Sequence, residues 1–485
     1  MSRLIVGPFN RVEGDLEVTL EVADGQVASA QVNAPMYRGF EQILVGKPPR
    51  DALVIVPRIC GICSVTQSVA AANALAALSG VTPPPNGRLA TQLTLATENL
   101  ADHLTHFYLF FMPDFTRPAY SARPWWSEAV RRYDPRTGER TRWATAARQR
   151  WMTLMGTLAG KWPHTLSIEP GGSSRAIEAG ERVRLLARLR EFQSFVETTL
   201  FGTSLTRLAE IDCLAALWAW VDEAPQQGDL RWFLSLAREL DLAHLGAGPG
   251  RYLCHGAYPE GDGTWLAPPG LWRASDARLH ALDLTGLTED AHHAWMAEDG
   301  APRHPSRGLT EPDPDKPGAY SWSKAPRLGG EVVEAGAIAR QLAAGHPLLV
   351  DAVVRSGGNV LTRVLARVIE IAEVLPRMAR WLRGLQPGEP WCTGAALPDE
   401  GEAVGLTEAA RGALGHWLRV QDGRIASYQI VAPTTWNFSP RDAAGQPGAL
   451  EAALVGTPVQ AGDTTPVAVQ HVVRSFDPCM VCTVH

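Results

Sequence analysis

The chain has 485 residues, of which 45% are hydrophobic and 20% are charged, and its formal net charge is −6. A chain of this length buries a large core without a disulfide or metal cross-link, so a metal bound here is expected to be functional. No basic stripe, signal peptide or apolar run of about 18 residues is visible, so we expect neither a nucleic-acid partner nor a direct membrane span.

The N-terminal part is predicted to be rich in β structure. Apolar and polar residues alternate over 16–22, which is typical of a half-buried strand. Asp24-Gly25 is a two-residue hairpin signal, and 27–32 continues as the return strand. The sequence therefore predicts a β hairpin ahead of the first cysteines.

The middle of the chain is predicted to be mostly helical. Helices are expected, from Ala-rich or apolar runs, over 67–78, 89–112, 174–222, 336–343 and 347–385. Asn86-Gly87 is expected to separate the first two, and Pro113 to end the second. Residues 114–150 are rich in Trp, Arg and Pro and are expected to be an irregular surface segment. Residues 223–330 are predicted to hold short strands, turns and loops.

The last part of the chain returns to strands. A second hairpin is predicted over 416–420 and 425–431, with Asp422-Gly423 as its turn. A helix near 446–454 and an irregular tail are expected to follow. No internal repeat of fixed period is visible.

The predicted fold class is α+β and mostly helical, as a single domain over 1–485. Residues 1–60 are its β-rich part, and 61–385 a long helical bundle with an irregular insertion at about 223–330. Residues 386–485 are the C-terminal β and metal-binding part. We expect β hairpins from the two terminal parts to meet, because cysteine pairs lie near both ends of the chain.

Seven cysteines are too few, and odd in number, for a disulfide framework, which predicts a reducing compartment and a cytoplasmic protein. Four form two C-x-x-C pairs, Cys60/Cys63 and Cys479/Cys482. The first pair is expected before a helix, whose amides then face its sulfurs and lower the thiol pKa. The remaining three are expected to be buried apolar residues: Cys213, Cys254 and Cys392.

The residues alone leave two kinds of four-cysteine site open. Structural zinc modules usually separate their pairs by about 15–20 residues, whereas here the pairs lie near opposite ends of the chain. Four thiolates also suit soft or borderline metals such as nickel and iron. A zinc scaffold therefore stays open beside a functional metal centre.

The chain resembles the large subunits of nickel–iron hydrogenases along its whole length. The cysteine pairs lie in the signatures Arg58-x-Cys60-Gly61-x-Cys63 and Asp477-Pro478-Cys479-x-x-Cys482-x-x-His485. Further matching motifs, in chain order, begin at Arg11, Arg38, His103, Gly160, Pro170, Ser321, Arg411 and Pro433.

This resemblance implies a nickel–iron pair at the four cysteines. Cys60 and Cys479 are implied to be terminal nickel ligands. Cys63 and Cys482 are implied to bridge nickel to an iron that carries two cyanides and one CO. The centre is implied to cleave H2 heterolytically, with electrons leaving through an iron–sulfur small subunit.

The resemblance also implies a proton route and a second metal. The first base is implied to be the Cys479 thiolate or the Arg411 guanidinium, and Glu13 is implied to relay the proton. Glu41 and His485 are implied to bind magnesium. Without the resemblance, Glu13 equally fits a surface ion pair and His485 a frayed terminus.

Four residues are implied to surround the iron ligands. Arg411 and Thr434 are implied to donate hydrogen bonds to the two cyanides. Asp114 and Asp477 are implied to hold Arg411 in place, although each also fits an ordinary turn or cap residue.

The chain departs from the family pattern at several points, of which three bear on function. Gln67 stands where many members carry histidine, and glutamine cannot carry charge. Ile62 and Phe110 stand where smaller Val and Leu are usual at the end of the gas channel, so we expect a narrower path; an apolar exchange without effect is the alternative. The sequence stops at His485, where many members carry an extension.

These departures resemble the H2-sensing regulatory subgroup, in which slow H2 turnover is reported to a histidine kinase and oxygen does little harm. The leading hypothesis is therefore an H2-cleaving sensor of low turnover. The alternatives are an energy-conserving uptake or bidirectional hydrogenase and, from another class, the four-cysteine zinc protein.

Overall fold

The computed structural model describes residues 2–261, 263–298 and 300–485. Its strands are β1 (Ser2–Val6), β2 (Glu17–Ala23), β3 (Gln26–Asn33), β4 (Ile168–Glu169), β5 (Gly172–Ser173), β6 (Arg251–Cys254), β7 (Ala257–Pro259), β8 (Trp265–Ala267), β9 (Gly270–Arg273), β10 (Arg278–His280), β11 (Leu287–Asp290), β12 (Ala325–Leu328), β13 (Glu334–Ala335), β14 (Gly401–Ala409), β15 (Gly412–Gln421) and β16 (Arg424–Val431).

Its helices are α1 (Phe40–Leu44), α2 (Ala52–Ile55), α3 (Ser64–Ser79), α4 (Pro85–Thr105), α5 (Trp126–Tyr133), α6 (Glu139–Trp151), α7 (Thr153–Ala159), α8 (Ala179–Phe195), α9 (Leu205–Ala209), α10 (Leu214–Glu223), α11 (Asp229–Glu239), α12 (Ala337–Ala343), α13 (Pro347–Ser356), α14 (Val360–Gly384), α15 (Pro433–Asn437), α16 (Ala449–Leu454), α17 (Val467–Ser475) and α18 (Met480–Thr483). Among the residues described, no helix combines the length and apolar character that crossing a lipid bilayer requires.

The mixed, mostly helical fold class is confirmed. The long helices α4 and α14 pack against each other at the centre. Strands β1-β2-β3 form an antiparallel sheet near the N-terminus, β14-β15-β16 form another near the C-terminus, and β10-β9-β6-β13 form a mixed sheet between them. Both predicted hairpins are present, and they turn at Asp24-Gly25 and Asp422-Gly423, whose four φ angles are positive as such tight turns require.

The two ends of the chain meet through backbone hydrogen bonds. The Val27 amide donates to the Thr457 carbonyl at 2.9 Å, and the Val459 amide donates to the Gly25 carbonyl at 2.8 Å. The N-terminal hairpin therefore lies directly beside the segment that leads to the last cysteine pair. The expected meeting of the terminal parts is confirmed, although their strands stay in separate sheets.

The C-terminal sheet lies directly on α3, the helix that follows the first cysteine pair. Gly405 in β14 makes this approach possible, because a methyl group there would lie 1.9 Å from the Ala70 carbonyl oxygen of α3. The sheet and the helix thus touch backbone to backbone. This contact fixes the position of α3 relative to the C-terminal part.

The start and end of α4 differ from the prediction. Asn86-Gly87 does not separate two helices but lies in the first turn of α4, where Gly87 packs against the Trp391 carbonyl. After α4 the chain continues in a wide helical turn, His106–Phe111, and a tighter turn that contains Pro113. The proline therefore does not end the helical run as predicted, because it lies at the start of the tighter turn, which continues to Thr116.

Helices lie in three regions where irregular structure was predicted. Residues 114–150 contain α5 and α6, and Glu128 of α5 pairs with Arg131 at 2.6 Å. Residues 223–330 begin with α11 before the predicted short strands, and the expected irregular tail contains α17. The buried apolar positions of α11 repeat at helical spacing, a signal that the Gly, Pro and Trp content of this region hid: Leu230, Phe233, Leu234 and Ala237.

The contact between β14 and α3 can be tested with Gly405→Ala. The added methyl group must displace the backbone of α3, and such overpacking costs about 1–3 kcal/mol. Thermal unfolding followed by circular dichroism should show a lower midpoint. Gly394→Ala is the matched control, because nothing lies within 4 Å of a methyl group there. Equal midpoints for the two variants would contradict the close contact.

Candidate metal centre

Four cysteine sulfurs converge in the interior. Cys60 Sγ lies 3.4 Å from Cys479 Sγ, and Cys63 Sγ lies 3.0 Å from Cys482 Sγ. All four sulfurs lie within 4.8 Å of one another, and all four residues are buried. The predicted convergence of the two ends of the chain is confirmed.

Each cysteine pair is placed at the start of a helix. Cys63 immediately precedes α3, and Cys479 immediately precedes α18. The amides of Ile62 and Cys63, just before α3, donate to Cys60 Sγ at 3.3 and 3.4 Å, so this sulfur accepts from the preceding loop and not from the helix-start amides that were expected. Amide donors favour the thiolate, which is the form that binds metals.

The four thiols have unequal acidities. Hydrogen bonds from Cys479, Cys482 and Cys63 lower the pKa of Cys60. Burial raises the pKa of Cys479 and Cys482. A metal must therefore displace protons from these buried sulfurs, and four soft donors in one enclosure fit nickel and iron.

A buried guanidinium lies beside the sulfurs between two carboxylates. Arg411 Nη1 donates to Asp102 at 2.6 Å, Nη2 donates to the Asp477 carboxylate at 3.1 Å, and Nε donates to the Asp477 carbonyl at 3.0 Å. Burial raises the pKa of Asp102. Burial would also raise the pKa of Asp477, but Arg411, His106 and Arg367 together hold it below its usual range.

The prediction that Asp114 holds Arg411 is corrected. Asp114 pairs instead with Arg11 at 2.5 Å and with Arg474 at 2.6 Å. Asp102 holds Arg411 in the place expected for Asp114, whereas the expected contact of Asp477 is present. Asp114 therefore joins the N-terminal segment to α17 rather than touching the guanidinium above the sulfurs.

Glu13 lies beside the second cysteine pair. Its backbone carbonyl accepts from the Met480 amide at 2.7 Å, and Glu13 and Cys479 form a parallel bridge. Its side chain is half-buried, and burial together with the nearby Cys60 raises its pKa, against Arg411 and Arg38. This acid is thus next to the sulfurs while part of it reaches toward solvent.

Thr434 touches the second pair directly. Its Oγ1 accepts from the Cys479 amide at 3.2 Å and lies in the first turn of α15. The hydroxyl hydrogen therefore remains available to donate elsewhere.

Gln67 is buried in α3 and bonded to a histidine. His416 Nε2 lies 2.8 Å from Gln67 Oε1, and His416 Nδ1 lies 2.7 Å from Tyr428 Oη. Burial lowers the pKa of His416 to about 3. A neutral imidazole has one donor and one acceptor, so Nε2 donates to the amide oxygen and Nδ1 accepts from the phenol.

The two residues implied to bind magnesium lie together. Glu41 Oε1 is 3.5 Å from His485 Nε2, beside a small cavity of about 20 Å³. His485 Nε2 also lies 2.6 Å from the Ile430 carbonyl. The ammonium of Lys324 lines the same cavity and, against the effect of burial, helps to lower the pKa of Glu41 to about 2.

Ile62 and Phe110 are both half-buried, and their part in a gas path stays a prediction. Ile62 lies between the first two cysteines and packs on the core. Phe110 lies in the wide helical turn after α4, where its carbonyl accepts from Arg11 at 2.9 Å. Of the three other cysteines, only Cys254 is buried; Cys213 is half-buried and Cys392 exposed, which corrects the prediction.

Sequence reasoning missed Asp102 and His416 as parts of this site. Asp102 was visible as a charged residue inside a largely buried helix, directly before His103. His416 belongs to the same motif as Arg411, but its partner Gln67 lies 349 positions away in the chain. His103 and His106 are buried and hydrogen-bonded to Glu370 and the Arg474 carbonyl, as core histidines.

Comparison with known proteins gives one consistent family. The protein-family model described as nickel-dependent hydrogenase matches residues 38–122 and 144–485 of this chain. The large subunit of the periplasmic NiFeSe hydrogenase of Desulfomicrobium baculatum is 31% identical over an alignment of 520 residues, gaps included. The alignment covers 100% of this chain and 95% of that protein. The hydrogenase-2 large chain of Escherichia coli (strain K12) is 27% identical, over 100% of this chain and 97% of that protein.

Solved structures agree with the sequence comparison. The structure of H2-activated NiFeSe hydrogenase from Dm. baculatum matches with a TM-score of 0.86 and 30% identity, over 100% of both chains. Likeness of fold and sequence thus extends over the whole length of the chain.

Proposed function

Because this chain belongs to the nickel-dependent hydrogenase family, we propose that its four cysteines hold a nickel–iron pair at which H2 is cleaved heterolytically. The convergence of four buried sulfurs within 4.8 Å carries this proposal. When bound, the metal pair supplies the Lewis acidity that polarises H2. The chain's own residues hold the metals, exclude water and move the proton.

We propose that Cys60 and Cys479 would hold the nickel and that Cys63 and Cys482 would hold both metals. The Cys63 and Cys482 sulfurs lie 3.0 Å apart, close enough for both to be held by one metal pair. Backbone amides already donate to Cys60, which suits a thiolate that binds one metal only.

Two residues can donate hydrogen bonds to the cyanides proposed on the iron. Arg411 has five N–H groups, and its contacts with Asp102 and Asp477 occupy one on each nitrogen. Two N–H groups therefore remain for an anionic ligand, and the Thr434 hydroxyl supplies a third donor. The two carboxylates stop the guanidinium from turning away.

Glu13 is proposed to carry the proton away from Cys479 or Arg411. Its backbone contact with the second cysteine pair keeps it beside these groups. A raised pKa suits a relay, because it brings the carboxyl group closer to the pH at which it can both gain and lose a proton. A group with a raised pKa is protonated at low pH, so proton acceptance weakens as the pH falls through that pKa.

The electrons are proposed to leave through an iron–sulfur small subunit. Within the described part of the chain, the four cysteines are the only group of at least three side chains placed to hold a metal. Electrons therefore need metal clusters on a partner. We also propose that Glu41 and His485 bind magnesium, supported by their 3.5 Å approach; Lys324 competes for the same carboxylate.

We infer further that the enzyme serves as an H2 sensor of low turnover, reporting to a histidine kinase in the cytoplasm and tolerating oxygen. Gln67 supports this inference, because it is bonded to a neutral His416 and carries no charge near the sulfurs. The alternative is an uptake or bidirectional enzyme, and neither relative named above is described as a sensor.

The metal centre is tested by elemental analysis and infrared spectroscopy of the purified two-subunit complex. We expect one nickel, one iron and one magnesium per large subunit, with infrared bands from one CO and two cyanides. Cys482→Ala should lose most of the nickel, and Cys392→Ala, at an exposed position, should keep it. Zinc alone, without CO or cyanide bands, would show the scaffold alternative to be correct.

The proton relay is tested with Glu13→Gln. Loss of a positioned acid–base group costs about 10²–10⁴-fold in rate, and H2 oxidation with a dye should fall accordingly while the infrared bands persist. The limb of the pH–rate profile that falls toward acid should disappear. Asp15→Asn, at an exposed neighbour, is the control. An unchanged rate for Glu13→Gln would remove Glu13 from the route.

Sensing and gas access are tested with Ile62→Val combined with Phe110→Leu. Smaller side chains should widen the gas path, so oxygen should inhibit this variant more than the wild type during H2 oxidation. Ile177→Val combined with Phe195→Leu is the control, because these apolar residues lie just before and at the end of α8 and outside the cysteine site.

Unchanged oxygen inhibition in the double variant would count against the gate. In the same preparations, H2 should change the autophosphorylation of a histidine kinase that co-purifies with the complex. A kinase that responds equally under H2 and argon would favour the uptake alternative.

A further inference from the structure

We propose that Glu98 is a positioning residue for the metal centre, because its carboxylate caps α3, the helix that begins directly after Cys63. Glu98 lies in α4 and is 2% exposed. The inference goes beyond the ligands and proton route above and rests on the proposed function, since the centre is what Glu98 positions.

The carboxylate of Glu98 accepts five hydrogen bonds and faces only donors. Oε1 accepts from the Thr66 amide at 3.0 Å and from the Thr66 hydroxyl at 3.2 Å. Oε2 accepts from the Val65 amide at 3.0 Å, the Trp162 indole at 2.8 Å and the Ser64 hydroxyl at 3.4 Å. Such a set of partners favours the ionised carboxylate, which only accepts, against burial, which on balance raises the pKa of Glu98 to about 7.

The start of α3 needs an acceptor from elsewhere in the chain. The first N–H groups of a helix have no partner within it, and a Ser, Thr, Asp or Asn just before the helix normally accepts from the second or third one. Here that preceding residue is Cys63, which makes no side-chain cap and whose sulfur faces Cys482. The metal ligand has taken the position of the cap.

Glu98 replaces the missing cap from a different helix. Val65 and Thr66 are the second and third residues of α3, the two whose amides a local cap would satisfy. A negative charge at a helix start is also favoured by the helix dipole. The direction of the first turn of α3, and with it the direction of the Cys63 side chain, is therefore set by Glu98.

The network also ties the loop after α7 to the same place. The Ser64 hydroxyl, which donates to Glu98, lies 3.3 Å from the His164 amide, and Trp162 donates from the same loop. Glu98 thus joins three segments around one cysteine. Outer partners of this kind orient metal ligands and tune the metal.

The test is Glu98→Gln in the complete two-subunit complex. Glutamine keeps the shape, but its NH2 group must face an amide donor, so at least one contact with Val65 or Thr66 is lost. At a pH well above 7 we expect the CO band to shift to higher wavenumber, because the negative charge of the ionised Glu98 is then removed. Loss of an outer partner also predicts about a 10- to 100-fold loss of nickel affinity or H2 oxidation.

The matched control is Glu451→Gln. Glu451 is also a fully buried carboxylate that accepts from backbone amides, those of Val32 and Gly448 at 3.0 and 3.3 Å. Its contacts lie around α16 and β3, so it should lower the unfolding midpoint and leave the infrared bands in place. The comparison separates loss of a buried carboxylate in general from loss of the cap beside Cys63.

Should Glu98→Gln fail to fold, Trp162→Phe provides a second variant. Trp162 is half-buried and supplies one of the five donors, so a smaller shift of the CO band is expected. Unshifted bands in both variants, or in the one that folds, would overturn the positioning role, as would equal shifts in Glu98→Gln and Glu451→Gln. A wild-type complex without CO and cyanide bands would instead overturn the proposed function and this inference together.

Discussion

The structure depends on one constraint: four sulfurs from opposite ends of a long chain must lie within bonding reach of the same centre. Backbone hydrogen bonds between Glu13 and Met480, and between the N-terminal hairpin and the segment at 457–459, close that distance. These bonds join only the two ends of the chain, so the helices between them must span a fixed distance. The contact of β14 with α3 then holds the first cysteine pair in place, because α3 begins directly after Cys63.

Enclosing such a centre also requires charged side chains to be buried. Taking an ion out of water is costly unless it is paired, and truncating one partner leaves the other uncompensated. Arg411 is held by Asp102 and Asp477, and the carboxylate of Glu98 is surrounded by donors. The site therefore carries both its cations and its anions in fixed places, which keeps their fields constant around the metals.

The sequence was sufficient for the cysteine convergence and for both hairpins, since C-x-x-C pairs and Asp-Gly turns are local signals with strong geometric meaning. It was not sufficient for the choice between Asp102 and Asp114. Both carboxylates are fully buried, and the wide turn after α4 rotates the later one away from the sulfurs toward Arg11 and Arg474. Nor could it reveal the cap by Glu98, because the local rule looks for a cap where Cys63 stands.

Glutamine instead of histidine at position 67 changes which charges can arise beside the first cysteine pair. In the chain of hydrogen bonds from Tyr428 through His416 to Gln67, the low pKa of His416 keeps the imidazole neutral across the physiological range. The amide oxygen is then committed as an acceptor, and its NH2 group can act only as a donor. A histidine in that place would gain a charge as the pH falls, whereas the amide does not. The hydrogen-bond chain from Tyr428 to Gln67 therefore keeps the same charge across the physiological pH range.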